Sequence, residues 1–139
     1  MGARSGEGLE TRPSGETFEG TWENDQQKSG TLIDSEKETY TGNFVNGEIH
    51  GYGTYRSSDG TIYQGDFVFG EQTGQGNFTY TSGITYSGGV KNGMYDGYGV
   101  YNDAETLMRY EGNFKENYFN GNGTLYDSNI TYIGNFFED

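Results

Sequence analysis

The amino-acid sequence predicts an all-β fold, a single-layer twisted antiparallel sheet of stacked β-hairpins. Three observations predict it. An aromatic-x-Gly-x run recurs from Phe18, Tyr40, Tyr63, Tyr86, Tyr110 and Tyr132 at spacings of 22 to 24 residues, and a fixed period of this length marks a repeat array. Within each period, rings and glycines fall on alternate residues, as they do along one face of an extended strand. The 139 residues include 25 Gly, 13 Tyr and 9 Phe but one Pro, and aliphatic residues are sparse. Such a chain is too poor in aliphatics for a layered core, so rings must supply its buried apolar surface.

The chain opens on half a unit, residues 6–17. Gly6-Glu7-Gly8 precedes Phe18 as Gly51 precedes Tyr63, and Pro13-Ser14-Gly15 falls where Ser58-Asp59-Gly60 falls. The unit from residue 18 reads Phe18-x-Gly20-x-Trp22, with Asn24-Asp25 as its turn; it keeps only Gly30 of a glycine pair and reads as one residue short in its turn. The unit from residue 40 reads Tyr40-x-Gly42-x-Phe44, Asn46-Gly47, then Gly51-x-Gly53-x-Tyr55. The clearest copy, from residue 63, reads Tyr63-x-Gly65-x-Phe67, Phe69-Gly70, then Gly74-x-Gly76-x-Phe78. From residue 86, Val90 replaces the second ring before Asn92-Gly93 and Gly97-x-Gly99-x-Tyr101, and an extra residue within Asp103–Arg109 predicts a longer loop leaving the sheet. The unit from residue 110 reads Tyr110-x-Gly112-x-Phe114, Glu116-Asn117, then Gly121-x-Gly123-x-Leu125, and residues 132–139 begin another half unit. The whole of 1–139 is therefore one array. Asn, Asp and Gly at the turns tolerate the positive φ that tight hairpins require.

Glycine weakens a strand unless something needs to approach its backbone closely. Rings from one strand lying over glycines of the next offset that cost. The intervening Thr41, Asn43, Gln64, Asp66, Glu111 and Asn113 point to the opposite, wet face. Hairpins stacked at strand spacing advance about 10 Å per unit, giving a ribbon roughly 50 Å long. No sequence remains for a covering layer, so the aromatic face is expected to stay partly open as a groove, and an exposed apolar surface marks an interaction site. The candidate partner-binding residues on it are Phe44, Tyr55, Phe67, Phe78, Tyr101, Phe114 and Leu125. Tyr40, Tyr63, Tyr86 and Tyr110 are assigned to holding hairpins together.

Tyr-x-Gly-x-Phe, a turn, then Gly-x-Gly-x-aromatic, with this period, resembles the MORN (membrane occupation and recognition nexus) repeat over Gly6 to Phe136, in four well-formed copies. The resemblance implies a non-enzymatic scaffold or adaptor within a cytoskeletal or axonemal assembly, such as a radial spoke of a cilium. Its alternatives are a lipid-associated tethering module, or the targeting module of a larger enzyme, since both ends fall within a repeat.

Chemistry finds little to use. The chain has no cysteine and one histidine, His50, read as a solvated turn residue rather than a general base. The glycine pairs never open a helix or end in Lys-Ser/Thr, so they are no phosphate loop. Asp127-Ser128-Asn129 begins like a calcium loop but lacks the glycine and glutamate that complete one. No catalytic residue, cofactor or metal is expected.

Eight basic residues against 21 acidic ones give a net charge of −13. That field repels nucleic acid and anionic membranes and attracts basic protein. The expected partner is a helical, partly basic protein segment. The open half units also suggest end-to-end self-association, or capping by another protein. The first residues lack the apolar segment of a signal peptide, so a cytoplasmic, cytoskeletal location is expected and the Asn-x-Thr sites at Asn77, Asn122 and Asn129 are read as chance.

Overall fold

The computed structural model describes residues 3–137; residues 1–2 and 138–139, the outermost ends of the expected array, lie outside the described residues. The first six strands are β1 (Gly6–Thr11), β2 (Thr17–Glu23), β3 (Gln26–Ile33), β4 (Thr39–Val45), β5 (Glu48–Arg56) and β6 (Ile62–Val68). They are followed by β7 (Glu71–Thr79), β8 (Ile84–Lys91), β9 (Met94–Asp103), β10 (Met108–Lys115), β11 (Tyr118–Tyr126) and β12 (Thr131–Phe136). Each strand pairs with the one before it, so the twelve form one open antiparallel sheet in sequence order, β1 and β12 at its edges. No helix occurs among the described residues.

One register feature organises the sheet. Gly8, Gly20, Gly30, Gly42, Gly53 and Gly65 pair in succession, and the row continues through Gly76, Gly88, Gly99, Gly112, Gly123 and Gly134. Every strand contributes one glycine to this row. Two residues along lies a row of rings and leucines, which runs Tyr40, Tyr55, Tyr63, Phe78, Tyr86, Tyr101 and Tyr110 through the middle of the sheet. Each first-half tyrosine lies down along its own strand across the glycine two residues on. Its hydroxyl donates to the carbonyl of the next residue, as Tyr63 does to Asp66 at 2.7 Å and Tyr110 to Asn113 at 2.8 Å. The ring also covers the paired glycine of the next strand, and it can lie there because glycine has no Cβ: one added at Gly76 would stand 2.7 Å from Tyr63 Cζ.

Turns and bulges set this register. Both central residues of each short hairpin turn have positive φ, for example Asn46 at 51° and Gly47 at 79°, which is the type I′ geometry that matches strand twist. Beyond the turn, β5 pairs Ile49 with Phe44 and Gly53 with Gly42, so His50, Gly51 and Tyr52 stand opposite Asn43 alone. The same wide bulge recurs in β7, β9 and β11. Gly51, Gly74, Gly97 and Gly121 sit at its centre with φ from 73° to 127°. The first glycine of each pair therefore serves backbone curvature, and only the second lies beneath a ring.

Two local expectations are corrected. The unit from residue 18 is short in its bulge, not its turn: Asn24-Asp25 has the ordinary turn geometry, while only Lys28 is extra between the pairs Trp22–Gln27 and Thr21–Ser29. The extra residue near residue 103 produces no excursion. Asp103 pairs with Met108, and the intervening turn is held by the Asp103 carboxylate, which accepts the Glu105 and Thr106 N–H groups at 3.0 and 3.3 Å.

Candidate protein-docking face

The aromatic face is built from two classes of side chain. The first is a buried zipper. Except where Val90 stands in place of a ring, each first-half ring meets the ring four residues on, and also the corresponding ring of the next unit, edge to face. Phe18 meets Phe44 at 5.2 Å, Tyr40 meets Phe67 at 5.1 Å, Tyr86 meets Phe114 at 5.1 Å and Tyr110 meets Phe136 at 5.1 Å. Edge-to-face pairing suits the ring quadrupole and adds to area burial. Repeated from unit to unit, it buries rings in a sheet that has no second layer.

The second class is a half-buried fringe packed against the zipper: Leu32, Ile49, Tyr55, Tyr80, Tyr101, Phe119, Leu125 and Phe136. The expected docking residues divide between the classes. Phe44, Phe67, Phe78 and Phe114 are 3%, 3%, 7% and 4% exposed, so their surface is taken by neighbouring rings and they have almost none to offer a partner in this state. Tyr55, Tyr101 and Leu125 lie in the fringe and keep accessible surface. The four first-half tyrosines assigned to holding hairpins together are all buried.

Sequence reasoning missed one inward position, the third residue after each turn centre begins: Gln27, Ile49, Gln72, Tyr95 and Phe119. Tyr95 stacks on Tyr86 and Phe119 on Tyr110, both with centroids 3.9 Å apart. Tyr95 also stands opposite the short Val90 and shares a hydrogen bond with the Tyr80 hydroxyl at 2.5 Å. The signal was present as one more step of alternation: Tyr95, Gly97, Gly99 and Tyr101 fall on alternate residues.

The turns are tied to one another between units. Gly70, Gly93 and Asn117 donate their N–H groups to the carbonyls of Ile49, Gln72 and Tyr95 in the preceding unit, at 2.7, 3.0 and 3.0 Å. His50 belongs to this system. It lies in β5 rather than in a solvated turn; its Nδ1 accepts the Phe69 N–H at 3.1 Å and its ring packs 4.5 Å from that of Phe69.

The electrostatics follow from burial and acid. Burial, and then the carboxylate of Glu38 to which its hydroxyl donates, push the Tyr55 phenol well above its ordinary value, helped by Asp34 and Glu36. Burial, with Asp66 beside Tyr63 and Asp96 beside Tyr86, does the same to those phenols, and burial with the Tyr80 hydroxyl does so to Tyr95. In the unfolded chain these groups ionise near pH 10, whereas the fold holds them neutral. Their contribution is complete below about pH 10 and is lost as pH rises through the folded values. Alkaline titration is therefore expected to release these tyrosinates together with loss of β-sheet circular dichroism. Their full ionisation in an intact sheet would contradict the packing described.

Among the described residues no cluster of three or more metal-type ligands occurs, and Asp127 closes a turn, its backbone carbonyl accepting the Ile130 N–H at 3.3 Å while its carboxylate accepts the Ser128 N–H. A family model described as the MORN repeat matches residues 1–17, 40–62, 63–85, 86–104 and 110–129, more than half of the chain. The match omits the unit with the short bulge and resumes after the turn that follows Asp103. No curated protein matches the chain.

Proposed function

Because the chain belongs to the MORN-repeat family, we propose that it is a non-enzymatic scaffold that docks a protein segment on its aromatic face. Repeats of this family are interaction modules for proteins and membranes and are not themselves catalytic. The observation that carries the protein reading is the fringe of half-buried Tyr55, Tyr101 and Leu125 along a sheet with no covering layer. A partner seated there would remove apolar surface from water on a row that the zipper already holds rigid. The acids around Tyr55 favour a segment with Lys or Arg beside its apolar stripe. An amphipathic helix has that form. The setting we assign is a cytoskeletal or axonemal assembly, as the resemblance to radial-spoke-type scaffolds suggests.

Charge weighs against the lipid alternative. Arg4, Arg12, Lys28 and Arg109, half of the basic residues, are already engaged with Glu or Asp, which leaves no concentrated cationic patch for phospholipid.

The test is affinity capture from source-cell extract with the parent chain and with a Tyr55→Ser, Tyr101→Ser, Leu125→Ser variant, alongside cosedimentation with phosphatidylserine vesicles. The variant is expected to keep its sheet by circular dichroism and to lose about 2 kcal/mol or more of partner affinity, the scale of hot-spot truncation. Vesicles are expected to sediment no protein at physiological salt. Equal capture by both chains would instead favour strand addition at an open edge, and salt-sensitive vesicle binding would favour the membrane reading.

A further inference from the structure

The fringe is not uniform, and the irregularity has a chemistry. Where the later units place the rings of Tyr95 and Phe119, the two middle units place Ile49 and Gln72. Both side chains are smaller than those rings. Between them lies a notch of about 310 Å³ with Tyr55 and Phe67 also in its wall, its lining completed by Gly70-Glu71 and the turn Asn92-Gly93. The walls are fixed from both sides. Gly70 donates to the Ile49 carbonyl at 2.7 Å and Gly93 to the Gln72 carbonyl at 3.0 Å, so the notch exists without rearrangement of the backbone.

We propose that this notch receives one aromatic side chain, Phe or Tyr, of the docked segment, with a Lys or Arg next to it in that segment. The inference rests on the protein-docking reading above and deepens it by naming the anchor. The aromatic half follows from the chain itself. At the same register position two repeats on, the fold accepts a ring and stacks it at 3.9 Å, in Tyr95 on Tyr86 and again in Phe119 on Tyr110. The space is flanked by rings and the small faces of glycine, surfaces that suit a flat apolar group. A single large anchor in a preformed pocket is also how binding energy concentrates at interfaces. The basic half follows from charge. Glu71 lines the notch, and the Tyr55 that walls it donates its hydroxyl to Glu38, with Asp34 and Glu36 nearby. A cation beside the incoming ring meets that field, whereas an acidic neighbour is repelled.

The probe is the synthetic peptide acetyl-Lys-Lys-Phe-Lys-Lys-amide, compared with the same peptide carrying Gly for Phe, in amide chemical-shift titrations of the full chain. The Phe peptide is expected to shift Ile49, Gln72 and Gly93 and to bind about tenfold more tightly than the Gly peptide, a modest hot-spot effect. Gln72→Tyr fills the notch from within, in the manner of Tyr95, and is expected to abolish these shifts while melting no lower than the parent. Ile49→Phe provides an independent filling variant should the first fold poorly. Equal binding of the two peptides, no binding of either, or undiminished shifts in a folded Gln72→Tyr chain would each overturn the notch. Shifts confined to Tyr101 and Leu125 would overturn it too, while leaving the wider docking face standing.

Discussion

Gly65→Ala and Gly76→Ala are each expected to cost about 3 kcal/mol, the upper part of the range for overpacking, and to lower the urea midpoint accordingly. At Gly65 an added Cβ would stand 2.5 Å from the Gln75 carbonyl oxygen and 2.5 Å from Gly76 Cα. Both are backbone atoms of the paired strand and cannot turn aside as a side chain can. At Gly76 the obstacle is the Tyr63 ring, 2.7 Å from both Cζ and the hydroxyl oxygen. That ring is pinned by its hydrogen bond to Asp66 and by Phe67 and Phe78 at 5.2 and 4.8 Å. The control is Gly47→Ala in a type I′ turn, where an added Cβ meets nothing within 4 Å and φ is +79°. There the expected cost is only the backbone term, about 1 to 2 kcal/mol. If Gly65→Ala and Gly76→Ala unfold at the same urea concentration as the parent, the glycine row is not the platform on which the rings rest.

Phe67→Ala and Phe78→Ala are expected to lose about 3 to 5 kcal/mol of stability each, as other buried Phe truncations do. Phe67 is wedged between Tyr40 at 5.1 Å and Tyr63 at 5.2 Å, and Phe78 between Tyr63 at 4.8 Å and Tyr95 at 5.5 Å. Removing Phe67 uncovers a ring in each of two successive units, so the loss falls on their interface. In a linear array stability is carried by such nearest-neighbour interfaces. Denaturant curves of Phe67→Ala are therefore expected to broaden or split, reporting two halves that no longer melt together. The double variant is a probe of folding and not of docking, because most of the roughly 5 to 15 kcal/mol available to a domain of ordinary stability would be gone. A double variant that retains the parent's midpoint would refute the zipper.

Much of this was legible in the chain. The hairpin unit, its turns and the aromatic face follow from a period of two along each strand and of about 23 along the array. Those are local rules, satisfied by residues a few positions apart. The contact of a ring with the glycines of the next strand was legible from the Tyr-x-Gly and Gly-x-Gly runs of one hairpin, as Tyr63 over Gly76 shows, and the carbonyl that its hydroxyl finds lies three residues on in its own strand. The inward place of Tyr95 and Phe119 was legible too, but only by carrying the alternation through the bulge glycine. His50 was not legible, because its bonding partner, Phe69, lies in the turn of the following unit.

By itself, then, the sequence determined a single array of hairpins with an aromatic face and an acidic surface. Only the tertiary structure decided which rings are spent on the fold. Phe44 and Tyr55 look alike in an alternating pattern, yet Phe44 is covered by Phe18 of the unit before it, while Tyr55 keeps an open flank and turns its hydroxyl to Glu38. It also decided that the two glycines of each pair differ, one bent at positive φ in a bulge and one flat beneath a ring. The physical reason is common to both. Burial and register are properties of neighbouring strands taken together, fixed by where the bulge sets one hairpin against the next, and no residue's own place in the repeat specifies what will lie across it.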